Sequence, residues 1–162
     1  MTIAEGDRLP GAHLLRLGED GPEQVDLSER LAGRRVAIFG FPGAFTPTCD
    51  SAHMPSLVRT SRQMRDRGVD EVMCIAVNDP FVLDVWSKTA GAAEAGITVL
   101  ADAECAFTEA IGMRFDAPPR GLIARSQRYS MLVEDGVVRY LQVEQGRGVC
   151  ELTTGESMLE VL

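Results

Sequence analysis

Cys49 ends the stretch Phe39-Gly40-Phe41-Pro42-Gly43-Ala44-Phe45-Thr46-Pro47-Thr48-Cys49, which carries a thiol from an apolar strand to the first turn of a helix. A helix start leaves backbone N–H groups unpaired and holds the positive end of the helix dipole, and both favour thiolate over thiol. The chemistry on offer is nucleophilic attack on a small electrophile, which also needs donors for charge developing on the leaving atom. Thr46, three residues before the sulfur, brings a hydroxyl that either serves as such a donor or, like Thr48, caps the helix. Pro42 and Pro47 stiffen the approach. His53 lies one helical turn beyond Cys49 and is read as support for the turn rather than as a base, because Pro55 interrupts the helix there. Proline at position 55 also stands where a phosphatase-type loop needs arginine, and a Cys49/His53 zinc pair has no second pair to complete it.

A thiolate also needs a lasting positive charge. The run Gly121-Leu122-Ile123-Ala124-Arg125-Ser126-Gln127-Arg128-Tyr129-Ser130 reads as one apolar strand carrying two arginines. Alternation would place Arg125 and Gln127 on one face and Ser126 and Arg128 on the other. Arginine keeps its proton, and its planar fork can donate to sulfur and to a bound oxygen together. Arg125 is the candidate, with an ordinary surface ion pair as the alternative use of either arginine.

The elements that must position these groups alternate in type. Val36–Phe39, Val72–Val77 and Ile97–Leu100 are short, apolar and bounded by turn residues, the pattern of strands buried on both faces. Between them, 51–67 and 81–95 have helical spacing and end at Gly68 and Gly96. This predicts βαβ units and a largely parallel central sheet. Asp135-Gly136, between Tyr129–Glu134 and Val137–Val143, predicts an antiparallel hairpin that adds to the parallel strands and makes the central sheet, flanked by helices, a mixed one. Gly18-Glu19-Asp20-Gly21-Pro22 predicts a second hairpin near the N-terminus, and 155–162 reads as a short closing helix. With no repeat or linker, residues 1–162 read as a single α/β domain.

The 162 residues carry a formal charge of -8, which argues against nucleic acid or an anionic membrane as partner. Arg59, Arg62, Arg65 and Arg67 read as a solvated helix face. No apolar run approaches the ~18 residues of a membrane span, and the first residues lack a signal peptide's pattern, so a cytoplasmic protein is expected. The cysteines at 49, 74, 105 and 150 have neither zinc-ribbon spacing nor the density of a disulfide scaffold.

Pro42-Gly43-Ala44-Phe45-Thr46-Pro47-Thr48-Cys49, followed by His53 and Pro55, resembles the PxxxTxxC motif of peroxiredoxins, in the form typical of the peroxiredoxin-5, or atypical two-cysteine, subfamily. Arg125–Ser130, Val77–Phe81 and the closing Glu156–Leu162 are similar to it as well, so the resemblance spans nearly the whole chain. It implies a thioredoxin-like fold and a thiol-dependent peroxidase acting on hydrogen peroxide and alkyl hydroperoxides without metal or organic cofactor. By position it implies that Cys49 is the peroxidatic nucleophile, Thr46 binds the peroxide, Pro42 shields the sulfur and Arg125 stabilises the thiolate and transition state. A homodimer is implied too, with glutaredoxin, glutathione or thioredoxin as reductant. Asp50 departs from the family's usual serine, and Ser56-Leu57 from a usual glycine–aromatic pair.

The sulfenic acid that forms on Cys49 must then be resolved. Cys150 follows the glycine-rich Gln145–Val149 and falls near the family's resolving position; Cys105 and an external thiol are the alternatives. Cys74, inside an apolar strand, reads as an inert core residue. A protein of another class, a redox sensor or holdase switched by Cys49 oxidation, would share the reactive cysteine but would not turn over.

Overall fold

The computed structural model describes residues 2–146 and 148–162; Arg147, in the glycine-rich segment before Cys150, lies outside them. The N-terminal hairpin is present as β1 (His13–Gly18) and β2 (Gly21–Asp26), paired antiparallel from His13↔Asp26 to Gly18↔Gly21. Pro22 fits within β2 because that strand is the sheet edge and one of its sides needs no donor. Helix α1 (Leu27–Leu31) follows, its first turn capped by the Asp26 carboxylate, which accepts from Glu29 N at 3.2 Å. Next come β3 (Arg35–Phe41), a π turn at Cys49–His53 that runs into α2 (Met54–Asp66), β4 (Glu71–Ala76), and α3 (Pro80–Thr89). The chain continues through β5 (Thr98–Ala101), α4 (Ala106–Ala110), β6 (Arg114–Ala117), β7 (Leu122–Ser126), β8 (Tyr129–Glu134), β9 (Val137–Val143) and α5 (Gly155–Leu159).

The main sheet has the order β2-β1-β5-β4-β3-β8-β9. Only its centre is parallel, with β4 between β3 and β5; both flanks are antiparallel hairpins, so the sheet is mixed, as the two hairpin signals predict. The reason is local: each hairpin docks as a unit on one side of the βαβ core. Alternate residues of β3 and β4 fill two separate cores. Phe39, Phe41, Cys74 and Ala76 face α2, α3 and α5, while Val36, Ile38, Met73 and Ile75 face α1 and α4. Helix α3 stops at Thr89, short of the expected 95, and tight turns through Gly91 and Gly96, both at positive φ, finish the segment. Where β3 meets β8, Gly40 lies opposite Tyr129, and a Cβ on Gly40 would fall inside the tyrosine ring. That close approach holds the end of β3, and the loop after it, against the start of β8.

One buried carboxylate fastens the far end of the sheet. Glu71, at the start of β4, pairs bidentately with Arg30 (2.9 and 2.7 Å) and accepts from Arg34 at 2.8 Å and Thr98 at 2.6 Å. Burial alone would raise its pKa, but the bonds from Arg30, Thr98 and Arg34 outweigh it and bring the value from 4.5 to about 2. A depressed carboxylate stabilises the fold fully above its unfolded value and progressively less as pH falls through its folded one. The contribution, on the order of 3 kcal/mol, is therefore expected to vanish between about pH 4.5 and pH 2. Chemical denaturation across that window, in the native protein and in Glu71→Gln, checks it. The native curve should lose stability over this range and the variant should lose clearly less; parallel curves would refute the assignment.

Candidate active site

The loop after β3 turns into a helix at Pro47, where a missing N–H costs nothing because the first N–H groups have no partner within the helix. The Thr46 carbonyl accepts from Asp50 N at 2.9 Å, but the Thr46 hydroxyl does not cap the helix: it turns back to donate to the Gly43 carbonyl at 2.7 Å. Thr48 makes no side-chain cap either. Cys49 therefore sits in the first helical turn, fully buried, with Phe41, Met54 and Leu57 in the same core. Met54 N reaches back five residues to the Cys49 carbonyl, which widens this turn into a π geometry. Pro55 gives the physical reason: it has no N–H for the Ser51 carbonyl, and its ring would crowd that carbonyl in a regular α turn.

Before the helix, Phe45 has φ +61, a left-handed conformation that costs an aromatic residue about 1–3 kcal/mol. It is held there from both sides. Ala44 N donates to Asn78 Oδ1 at 3.0 Å, and Thr46 closes on Gly43. Asp50 is fixed in turn by the indole of Trp86, which donates to Oδ1 at 3.0 Å.

His53 is wholly buried and tilted over Phe41, with ring centroids 4.2 Å apart. Its Nδ1 is 2.9 Å from Arg128 Nη1 and its Nε2 is 2.9 Å from the Thr153 carbonyl. A guanidinium only donates and a carbonyl only accepts, so Nδ1 is the acceptor and Nε2 carries the proton. Burial and the charge of Arg128 both push its pKa well below the ordinary histidine value. A neutral ring with both nitrogens engaged is a brace between Arg128 and Thr153, which accords with its reading as support.

The two arginines occupy different places. Residues 121–130 are not one strand: β7 pairs with β6 in a small separate sheet, β8 pairs with β3, and Ala124 at φ +51 breaks the alternation. Arg125 Nη1 donates to the Val77 carbonyl at 2.8 Å and lies beside Gly43, where an added Cβ would meet it at 3.2 Å. Arg128 is only 6% exposed and lines a cavity of about 320 Å³ together with Pro42, Thr46, Pro47 and Thr48. The structure thus brings Pro42 and Thr46 to one cavity in the loop that carries Cys49, and the arginines on that cavity are the buried Arg128 and the exposed Arg120, not the expected Arg125. The overlooked feature is the β3–β8 register: Arg128 immediately precedes Tyr129, which pairs with Gly40 at the end of β3.

The other cysteines separate clearly. Cys74 is buried in β4, and burial, reinforced by the nearby Cys49, pushes its thiol far up. Cys105 is buried before α4, also raised by burial and by Asp102 and Glu109. Cys150 is half-buried, with its sulfur 3.8 Å from Thr153 Oγ1. Burial raises its thiol most, while Arg128 draws it down and Glu144 and Cys49 push it up, so it shares the electrostatic neighbourhood of Cys49. Its loop is gathered by the Glu144 carboxylate, which accepts from the N–H groups of Glu151, Leu152 and Thr153 and from the Thr153 hydroxyl. Glu144, Thr153, His53 and Arg128 therefore form one buried chain from the Cys150 loop to the helix bearing Cys49.

The Redoxin family matches residues 4–159. The chain is 39% identical to the chloroplastic peroxiredoxin-2E-2 of Oryza sativa subsp. japonica, an alignment covering 99% of this chain and 73% of that one. This chain is a peroxiredoxin of the redoxin family. Among solved structures, the peroxiredoxin is similar to reduced Prx3 from Vibrio vulnificus in complex with hydrogen peroxide, at 38% identity and a TM-score of 0.93 over 99% of both chains. It is also similar to peroxiredoxin 5 from Alvinella pompejana, at 30% identity and a TM-score of 0.84 over 98% of this chain and 96% of that one. The peroxiredoxin is accordingly a thiol-dependent peroxidase with a thioredoxin-like fold, built on the mixed sheet described above.

Proposed function

We propose that this peroxiredoxin is of the peroxiredoxin-5 type and reduces hydrogen peroxide and alkyl hydroperoxides through Cys49. The observation that carries the reading is the placement of Cys49 in a first helical turn, on the loop whose Pro42, Thr46 and Thr48 share a cavity with the buried Arg128. The Cys49 thiolate attacks the terminal oxygen of ROOH, an S–O bond forms as the O–O bond breaks, and RO⁻ takes a proton to leave as alcohol or water. Thr46 orients the peroxide, Pro42 limits access of water, and Arg128 donates to the oxygens as charge moves onto the leaving one. Arg125 supports these groups by holding the Gly43 segment to the Val77 carbonyl.

A thiol then attacks the sulfenic sulfur, forming a disulfide and releasing water. Cys150 is the resolving thiol favoured by its shared surroundings with Cys49 and by its braced loop, with glutaredoxin, glutathione or thioredoxin returning the disulfide to thiols. The exposed apolar side chains of Phe45, Phe81, Val82 and Val85, on segments joined by the Ala44–Asn78 bond, support a homodimer formed through this face.

Peroxide consumption with excess dithiothreitol, followed by a disulfide map after one equivalent of peroxide, tests the scheme. Many turnovers per chain and a Cys49–Cys150 link are expected. Consumption that stops near one peroxide per chain would instead indicate a redox sensor, and a persistent Cys49 sulfenate would assign resolution to an external thiol.

A further inference from the structure

The cavity lined by Pro42 and Thr46–Thr48, on the loop that leads to Cys49, is far larger than hydrogen peroxide requires. At about 320 Å³ it would hold about ten waters at ~30 Å³ each, the scale of a small organic molecule. Part of its wall is apolar, formed by Pro42 and Pro47 on one side and by Phe115 and Leu122 of the small β6–β7 sheet on the other.

Its charges are unevenly satisfied. The two carboxylates on the wall are already engaged: Glu144 by the backbone of its loop, and Asp116 by Ala124 N at 2.6 Å and Arg114 at 3.4 Å. The two arginines are not matched in this way. Among the described residues no carboxylate lies within 4.0 Å of Arg128 or Arg120. Arg128 faces the neutral His53 near Cys49, whereas Arg120 ends the short turn Pro118–Arg120 between β6 and β7, exposed to solvent. The cavity thus offers two cations without anionic partners and an apolar wall.

We infer that this cavity selects organic hydroperoxides with a short apolar body and a terminal carboxylate, the hydroperoxide lying at Thr46 and Arg128 and the carboxylate on Arg120. The inference rests on the peroxidase reading and adds the substrate's far end to it. Arg120 takes no part in the bond changes; its guanidinium fork donates bidentately to the carboxylate and sets the orientation of the body.

The test compares kcat/KM for a short-chain ω-hydroperoxy carboxylic acid with that for its methyl ester, at low ionic strength. An exposed ion pair of this kind is expected to favour the acid about fivefold. The ratio should fall to about one in Arg120→Gln and below one in Arg120→Glu, and added salt should shrink it in the unmodified enzyme. An acid-to-ester ratio that Arg120→Gln and Arg120→Glu leave unmoved would overturn the carboxylate site. Hydrogen peroxide turnover by the unmodified enzyme, run alongside, separates the two claims: if it is present the failure concerns Arg120 alone, and if it is absent both readings fall.

Discussion

Replacing Cys49 by serine is expected to abolish peroxide turnover, lowering kcat/KM by at least about three orders of magnitude, because loss of a nucleophile leaves only weak residual catalysis. The serine oxygen nearly matches the sulfur in shape but is a poor nucleophile without an adjacent base, and His53 has no free lone pair to serve as one. The loss should appear with any reductant, since it precedes resolution. Cys74→Ala is the matched comparison. Cys74 is buried in β4 with its thiol pushed far up, so turnover should stay within a few-fold of the native rate while stability falls by about 1 kcal/mol from the small cavity. Steady-state consumption of hydrogen peroxide by both variants, with circular dichroism to show that each is folded, decides the point. Turnover retained in Cys49→Ser would remove the proposed mechanism.

The second large effect concerns the arginines. Arg128→Met is expected to lower kcat/KM by about a hundredfold, the scale for removing one aligned donor from a site of developing charge. It also leaves buried His53 Nδ1 without a donor, an expected stability loss of about 1–3 kcal/mol. Arg125→Met should cost activity less, because that guanidinium is spent on the Val77 carbonyl and does not line the cavity. Peroxide kinetics on both variants, below their unfolding transitions, separate the roles. A crippled Arg125 variant beside a nearly normal Arg128 variant would reverse them.

Much of this arrangement was legible in the sequence, for identifiable reasons. The strands β3 and β4 announce themselves as continuous apolar runs because both of their faces are buried. Asp135-Gly136 and the Gly18–Pro22 turn mark hairpins by residues that tolerate the required dihedrals. The helix after Cys49 was visible from the spacing of 51–67 and its stop at Gly68, and its reactive position from the placement of Cys49 behind an apolar strand. What escaped depends on long-range packing. The β6–β7 sheet rests on four- and five-residue strands with a register shift, too short for periodicity to reveal. Residues 121–130 divide between two sheets, and Ala124 inside the first piece has a positive φ that alanine gives no hint of. The π turn follows from Pro55 only once the helix is known to continue through it. Nor does any local pattern indicate that Glu144, Thr153 and His53 form one buried chain, since these residues are brought together from 53 and from 144–153.

Most direct would be to name the atom that peroxide oxidises first. Reduced protein is treated with less than one equivalent of hydrogen peroxide in the presence of dimedone, which captures sulfenic acids, then digested and mapped by mass spectrometry. The adduct is predicted on Cys49, with Cys74, Cys105 and Cys150 recovered as thiols. An adduct on any other cysteine, or peroxide consumed while Cys49 remains reduced, would contradict the assignment of Cys49 as the nucleophile.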